Sequence, residues 1–422
     1  MRRIIWYELR KIWYKRWIMI VLSVLFVFAA WIIVTGAKPL SYVTKGYAKK
    51  MNEETKPYWG QYITEEIKEI ATEKALSYGA EKVEYAFSDD YSLDTSPIIS
   101  QYGESSVEAK VGIMWCQIAS QPVYEQEKQE YLNMIEQIET QYQEGEIETG
   151  YYRSLVRGRN GASWQIAPSL SAWYYWLDSM DFSSVLSGLM VIALLLVFLG
   201  DLFSKEESGG LGEISLATKN YRKWVASKMI AAAITGFSVA FILYSAVLLI
   251  FGILFGFQGY NVGILSLVSR GYTYGTLYRE INALQYGAIR LLAVSLAGAY
   301  FGMLIAALSS LLRNQMLVAV SFLLICVLME SLLFIECNYR AKMGVSNVST
   351  DWVALQSALV TPVRAFCNIE QFTIRNRLMS DNSKELFINT LIYPSFAILY
   401  YGFMGLGTLL NMGICMQYKR PR

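Results

Sequence analysis

The chain has 422 residues, of which 54% are hydrophobic and 17% charged, with a net charge of +2. Charged residues fall below the roughly 25% of soluble domains, and the near-neutral balance gives no basic footprint for nucleic acid. Histidine is absent, which excludes histidine acid–base chemistry, His-bearing triads and His metal sites.

Residues 1–16 are basic and amphipathic. Ile5, Leu9, Ile12 and Trp13 share one helical face, with arginine and lysine elsewhere. Such a helix lies along the inner membrane surface with its apolar face down, or simply extends the first crossing. A crossing needs about 20 mostly apolar residues. Residues 17–37 supply the first; Trp17 to Gly36 carries no charge. This run is too long for a signal-peptide core and no small-x-small cleavage site follows it, so it reads as a retained helix.

Residues 38–181 are polar and domain-sized. Asn52 to Ala75 is rich in Glu and Lys and helix-prone, and Tyr124, Tyr131, Ile135, Ile138 and Tyr142 follow a 3.6-residue stripe. Gly158-Arg159-Asn160-Gly161 is a turn signal. Trp173, Tyr174, Tyr175 and Trp176 then form an interfacial aromatic belt or, on the sharper reading, a substrate-facing lip.

Five further apolar segments follow, at 182–203, 229–257, 288–312, 315–335 and 386–418. Between them lie loops at 204–228, 258–287 and 336–385, the last with room for a re-entrant segment, and 419–422 is a short tail. With six crossings, the basic groups at the first tail, at Lys205 to Lys223, at Arg313 and at Lys419 to Arg422 all fall on one side. The positive-inside rule makes that side cytoplasmic. The 336–385 loop is also basic, but it is longer and carries acids. The expected fold is an all-α membrane protein: six transmembrane helices, both termini cytoplasmic, and a largely helical extracellular domain between helices 1 and 2.

Two charges stand in or beside apolar runs. Arg290 begins the fourth and Glu330 lies near the end of the fifth. Buried intramembrane charges are costly and usually paired or facing water, so Arg290 and Glu330 are a candidate ion pair or line a translocation path. Gly252-x-x-x-Gly256 and Gly298-x-x-x-Gly302 let helices approach closely, within one subunit or in a dimer. Of the five cysteines, Cys326 and Cys415 read as packing residues. Cys337 and Cys367 share the last long loop and could bridge, leaving Cys116 odd. No spacing suggests a metal site.

The 204–228 loop carries Glu206, Glu207, Gly209, a leucine-containing turn, Arg222, and Lys228 at the start of the next crossing. Here the chain resembles the ABC-2 type permeases, the membrane subunits of exporter-like ABC transporters. Their corresponding loop commonly runs acid, glycine, leucine-rich turn, base, lysine; Glu207, Gly209, Arg222 and Lys228 match, while Lys219 and Asn220 stand where a proline is frequent. The resemblance implies six crossings with both ends inside, and a loop that docks on a cytoplasmic ABC ATPase dimer. It also implies a second permease subunit, the same chain or a relative, with crossings two and five as the contacts. Without the family, the loop reads as solvated bases that set topology.

No catalytic residue is expected, and the chain cannot hydrolyse ATP itself. A P-loop needs Gly-Lys before Ser or Thr, and Gly-Lys occurs nowhere. ATP and Mg would sit on the partner, with no cofactor and no metal on this chain. The expected function is a cell-membrane permease exporting or extruding a hydrophobic or amphipathic compound. The competing reading is a sensor or mechanotransmitting subunit whose large outer domain acts without translocation, which four rather than six crossings would favour. A membrane enzyme is disfavoured by the missing histidine and nucleophile motifs.

Overall fold

A computed structural model describes residues 2–14, 49–80, 95–104, 106–121, 165–168, 171–173, 182–203, 221–263, 282–312, 314–342 and 396–416, with scattered positions between 123 and 144 and residue 176. The helices are α1 Arg2–Trp13, α2 Glu65–Ser77, α3 Ser96–Tyr102, α4 Val107–Ala119, α5 Phe182–Leu199, α6 Tyr221–Phe255, α7 Ala283–Leu311, α8 Gln315–Lys342 and α9 Phe396–Met416. Among the described residues there is no strand, only the isolated bridges Tyr62–Gln165 and Gly263–Asn282. The chain divides into two compact units. The first comprises Met1–Trp31, Ser179–Val247 and Ala288–Arg422; the second Ile32–Asp178 and Leu248–Gly287.

The second unit is built from short capped helices. Thr64 caps α2 by accepting from the Ile67 amide at 3.3 Å, with Glu65 and Glu66 in the first turn. Ser106 does the same for α4 through Ala109 at 3.0 Å. Helices α2 and α4 pack together around Ala71, Ala75, Ile98, Met114, Trp115 and Ala119. Gly112 brings α4 close, since a Cβ there would sit 2.8 Å from that of Tyr78. Glu54 anchors this core: its carboxylate accepts from the Tyr78 hydroxyl at 2.6 Å and from Trp115 Nε1 at 2.8 Å. Burial, and then the bond to Glu54, push the Tyr78 hydroxyl pKa up. Burial also raises the Cys116 thiol, which keeps this cysteine a packing residue rather than a reactive one.

The second unit joins residues 248–287 to most of the 38–181 segment. Backbone and side-chain hydrogen bonds join the two stretches. Within the first stretch Gly60 N donates to Ile166 O at 2.9 Å, and from the second Gly263 N donates to Gln165 Oε1 at 2.7 Å. Ala172 N donates to Gly256 O at 2.8 Å, and Trp173 Nε1 to Phe257 O at 3.1 Å. Trp173 and Trp176 are buried, their rings 6.5 Å apart, with Phe257 6.3 Å from Trp173. Both tryptophan rings pack against Gly287 at the start of α7. The stripe at 124–142, the 158–161 turn, Tyr174 and Tyr175 lie outside the described residues.

In the first unit the apolar helices pack around Leu194, Leu195, Phe198, Val225, Met229, Val294, Phe301 and Phe322. Helices α6 and α7, of 35 and 29 residues, are long and apolar enough to cross a membrane. They approach on small residues. A Cβ on Gly298 would lie 2.5 Å from Gly236 O, and one on Gly302 2.7 Å from Ala232 O. The Gly298-x-x-x-Gly302 pair is therefore used within the subunit. Gly252-x-x-x-Gly256 is a different device in the second unit. Gly256 ends α6 with φ of 81°, and bare Gly252 accepts the ring of Phe257 as the chain folds back.

Helix α1 packs through part of its apolar stripe. Leu9, Ile12 and Trp13 face the core of the first unit, and the Trp13 ring stands 5.7 Å from Phe198. At these positions the apolar face rests on α5. Trp6, Tyr7 and Tyr14 are the exposed side, with Lys11 over Tyr7 and Arg10 over Tyr14. The expected first crossing at 17–37 lies outside the described residues.

Candidate functional site

The expected coupling loop meets folded structure at both ends. Helix α5 stops at Leu199, and residues 200–203 make a turn. Helix α6 starts at Tyr221, eight residues before the expected crossing, so Arg222 and Lys228 stand on a helix. Tyr221 packs its ring 5.9 Å from Trp224, which gives the first turn an aromatic anchor and lets the helix begin early. Arg222 is exposed there. Glu206, Glu207 and Gly209 lie outside the described residues.

Lys228 is fully buried. Its ammonium donates to Leu202 O at 2.7 Å. It also lies 4.4 Å from the centre of the Trp224 ring and 4.8 Å from that of Phe203. The two rings meet edge to face at 6.0 Å. A buried ammonium requires such replacement of its hydration. The acceptor is well chosen, since carbonyls just past a helix end lack intrahelical partners and carry the negative end of the dipole. Asp201 is buried in the same turn.

The turn is pinned from a third helix. Ser309 of α7 donates to Gly200 O at 3.0 Å and accepts from Phe203 N at 3.3 Å. Nearby, Cys415 of α9 lies 3.3 Å from Met229 Sδ and 3.4 Å from Ser310 Oγ. The ends of α5, α6, α7 and α9 thus converge on one small polar cluster inside an apolar unit. The sequence pattern pointed to Lys228 but not to Leu202, Phe203, Trp224 or Ser309. Trp224 carried a signal, standing one turn before Lys228 on the same face; Ser309 carried none.

The remaining candidates stand on the helices that follow. Arg290 is buried in α7, two turns in because the helix begins at Ala283. Glu330 stands on α8, its side chain outside the described residues. Cys337 stands on α8 rather than in a loop, and Cys367 lies outside the described residues. Cys116, Cys326 and Cys415 form no disulfide among the described residues. Among the described residues no group of His, Cys, Asp and Glu is arranged to hold a metal ion.

Helices α6 and α7 are long and apolar enough to cross a membrane and pack face to face on glycines, a packing common between membrane helices. The chain belongs to the ABC-2 family of transporter proteins, whose family pattern matches residues 2–365. It is a membrane subunit of a transport system, and membership implies partnership with an ABC ATPase. Comparison with curated proteins and with solved structures gave no match.

Proposed function

We propose that the chain is the permease subunit of an ABC-2 type exporter, driven by a separate ATPase dimer that holds ATP and Mg. The observation that carries this reading is the loop between α5 and α6, which springs from a turn tied to three helices and bears Glu206, Glu207, Gly209 and Arg222. A loop rooted this way can pass displacement by a partner into the bundle rather than yielding at its base.

On this reading there are six crossings with both termini cytoplasmic. The second unit is extracellular, and a second permease subunit, identical or related, completes the transporter in the cell membrane. The substrate class is a hydrophobic or amphipathic compound, such as an antimicrobial peptide, a drug or a lipid-like molecule, which the apolar bundle suits. Arg290 and Glu330 would pair or line its path; reversing both charges together should restore assembly lost on reversing either. Solubilisation from the native host and affinity capture of this chain tests the central point. A nucleotide-binding subunit should be retained in stoichiometric amount; its repeated absence would count against the proposal.

A further inference from the structure

The matching of Lys228 to a family motif suggests a residue that meets the ATPase. The geometry assigns it another role. We propose that Lys228 is an internal clamp, a positioning residue that closes the base of the 204–220 loop and makes the ends of α5 and α6 move as one body. This inference rests on the docking reading above and specifies how the loop would act.

A fully buried side chain cannot touch a cytoplasmic partner while the unit stays closed. What Lys228 does touch lies across the loop: Leu202 O, 26 positions earlier, at 2.7 Å. Phe203 and Trp224 come one from each side of the loop, and both rings cover the ammonium. Parting the two ends would break the bond to Leu202 O and uncover both rings, so the clamp opens only at substantial cost. Ser309 holds the Leu202 turn through both neighbours, Gly200 O and Phe203 N, so the acceptor is fixed independently of the lysine. A push on the loop therefore cannot be absorbed by spreading its base. It must displace α5 and α6 together, with α7 attached through Ser309.

The test compares wild type, Lys228→Met and Lys228→Arg, each purified in nanodiscs. Trypsin cleavage between residues 204 and 223, where Lys205, Lys219, Arg222 and Lys223 offer sites, reads the clamp without any partner. Lys228→Met should be cut about tenfold faster, the change expected when a charge-assisted bond is lost, and Lys228→Arg should fall between. With the native ATPase added, Lys228→Met should still retain it but lose most of the permease-dependent change in ATP hydrolysis. A purely structural role would instead lower binding and hydrolysis together.

Unchanged cleavage overturns the clamp whatever the ATPase does. Faster cleavage with unchanged hydrolysis overturns its part in coupling. A wild-type chain that never retains the ATPase overturns the docking reading and the coupling role with it, while the cleavage rates still decide the clamp. Should Lys228→Met fail to fold, Trp224→Leu removes one ring but keeps the bond. It is expected to raise cleavage less, and no rise would contradict the aromatic contribution.

Discussion

Glu54 shows how one carboxylate organises a small core. Trp115 is almost wholly buried and Tyr78 lies over α4; both donate to Glu54. Glu54→Ala leaves two donors without their acceptor and should destabilise the second unit by about 1–3 kcal/mol, read as an earlier tryptophan fluorescence melt. Tyr78 adds a pH dependence. Its folded pKa is raised, so the unfolded chain loses this proton first as pH rises past about 10. Stability from this group is present below that pH and lost above it. Melts taken from neutral to strongly alkaline pH should show a fall beyond pH 10 in wild type that is smaller in Tyr78→Phe. Equal falls in both would place the effect elsewhere.

At the level of elements, the close pair α6 and α7 depends on bare backbone. A Cβ on Gly298 would stand 2.5 Å from Gly236 O and 2.7 Å from Ala240 Cβ. Gly298→Ala should cost about 1–3 kcal/mol by overpacking, whereas Gly405→Ala on α9, with nothing within 4 Å, should be neutral or slightly stabilising. Thermal midpoints in detergent would separate the two. The two glycine pairs also show what a sequence conceals. Identical spacing became a helix contact in one case and a helix end in the other, because the spacing does not say where α6 stops. The apolar runs of α6 and α7 were plain, since crossing length is written in composition. The start of α6 was not, because Tyr221 and Trp224 act through a tertiary contact that hydropathy ignores. The same holds for α1, whose stripe was visible while the surface that covers it, Phe198, was not.

For the whole molecule, topology and partnership are the open predictions. The proposed orientation exposes position 76 of the second unit to the outside and Arg222 to the cytoplasm. An impermeant thiol reagent added to intact cells should label Leu76→Cys and spare Arg222→Cys until the membrane is breached; labelling of both from outside would refute the arrangement. The most direct test of the central claim is ATP hydrolysis by the partner ATPase, measured with and without this chain in nanodiscs. Permease function predicts that the chain binds the ATPase and changes its turnover, and that excising residues 204–220 abolishes both effects while the membrane unit stays folded. A turnover rate indifferent to the chain, or to removal of that loop, would contradict it.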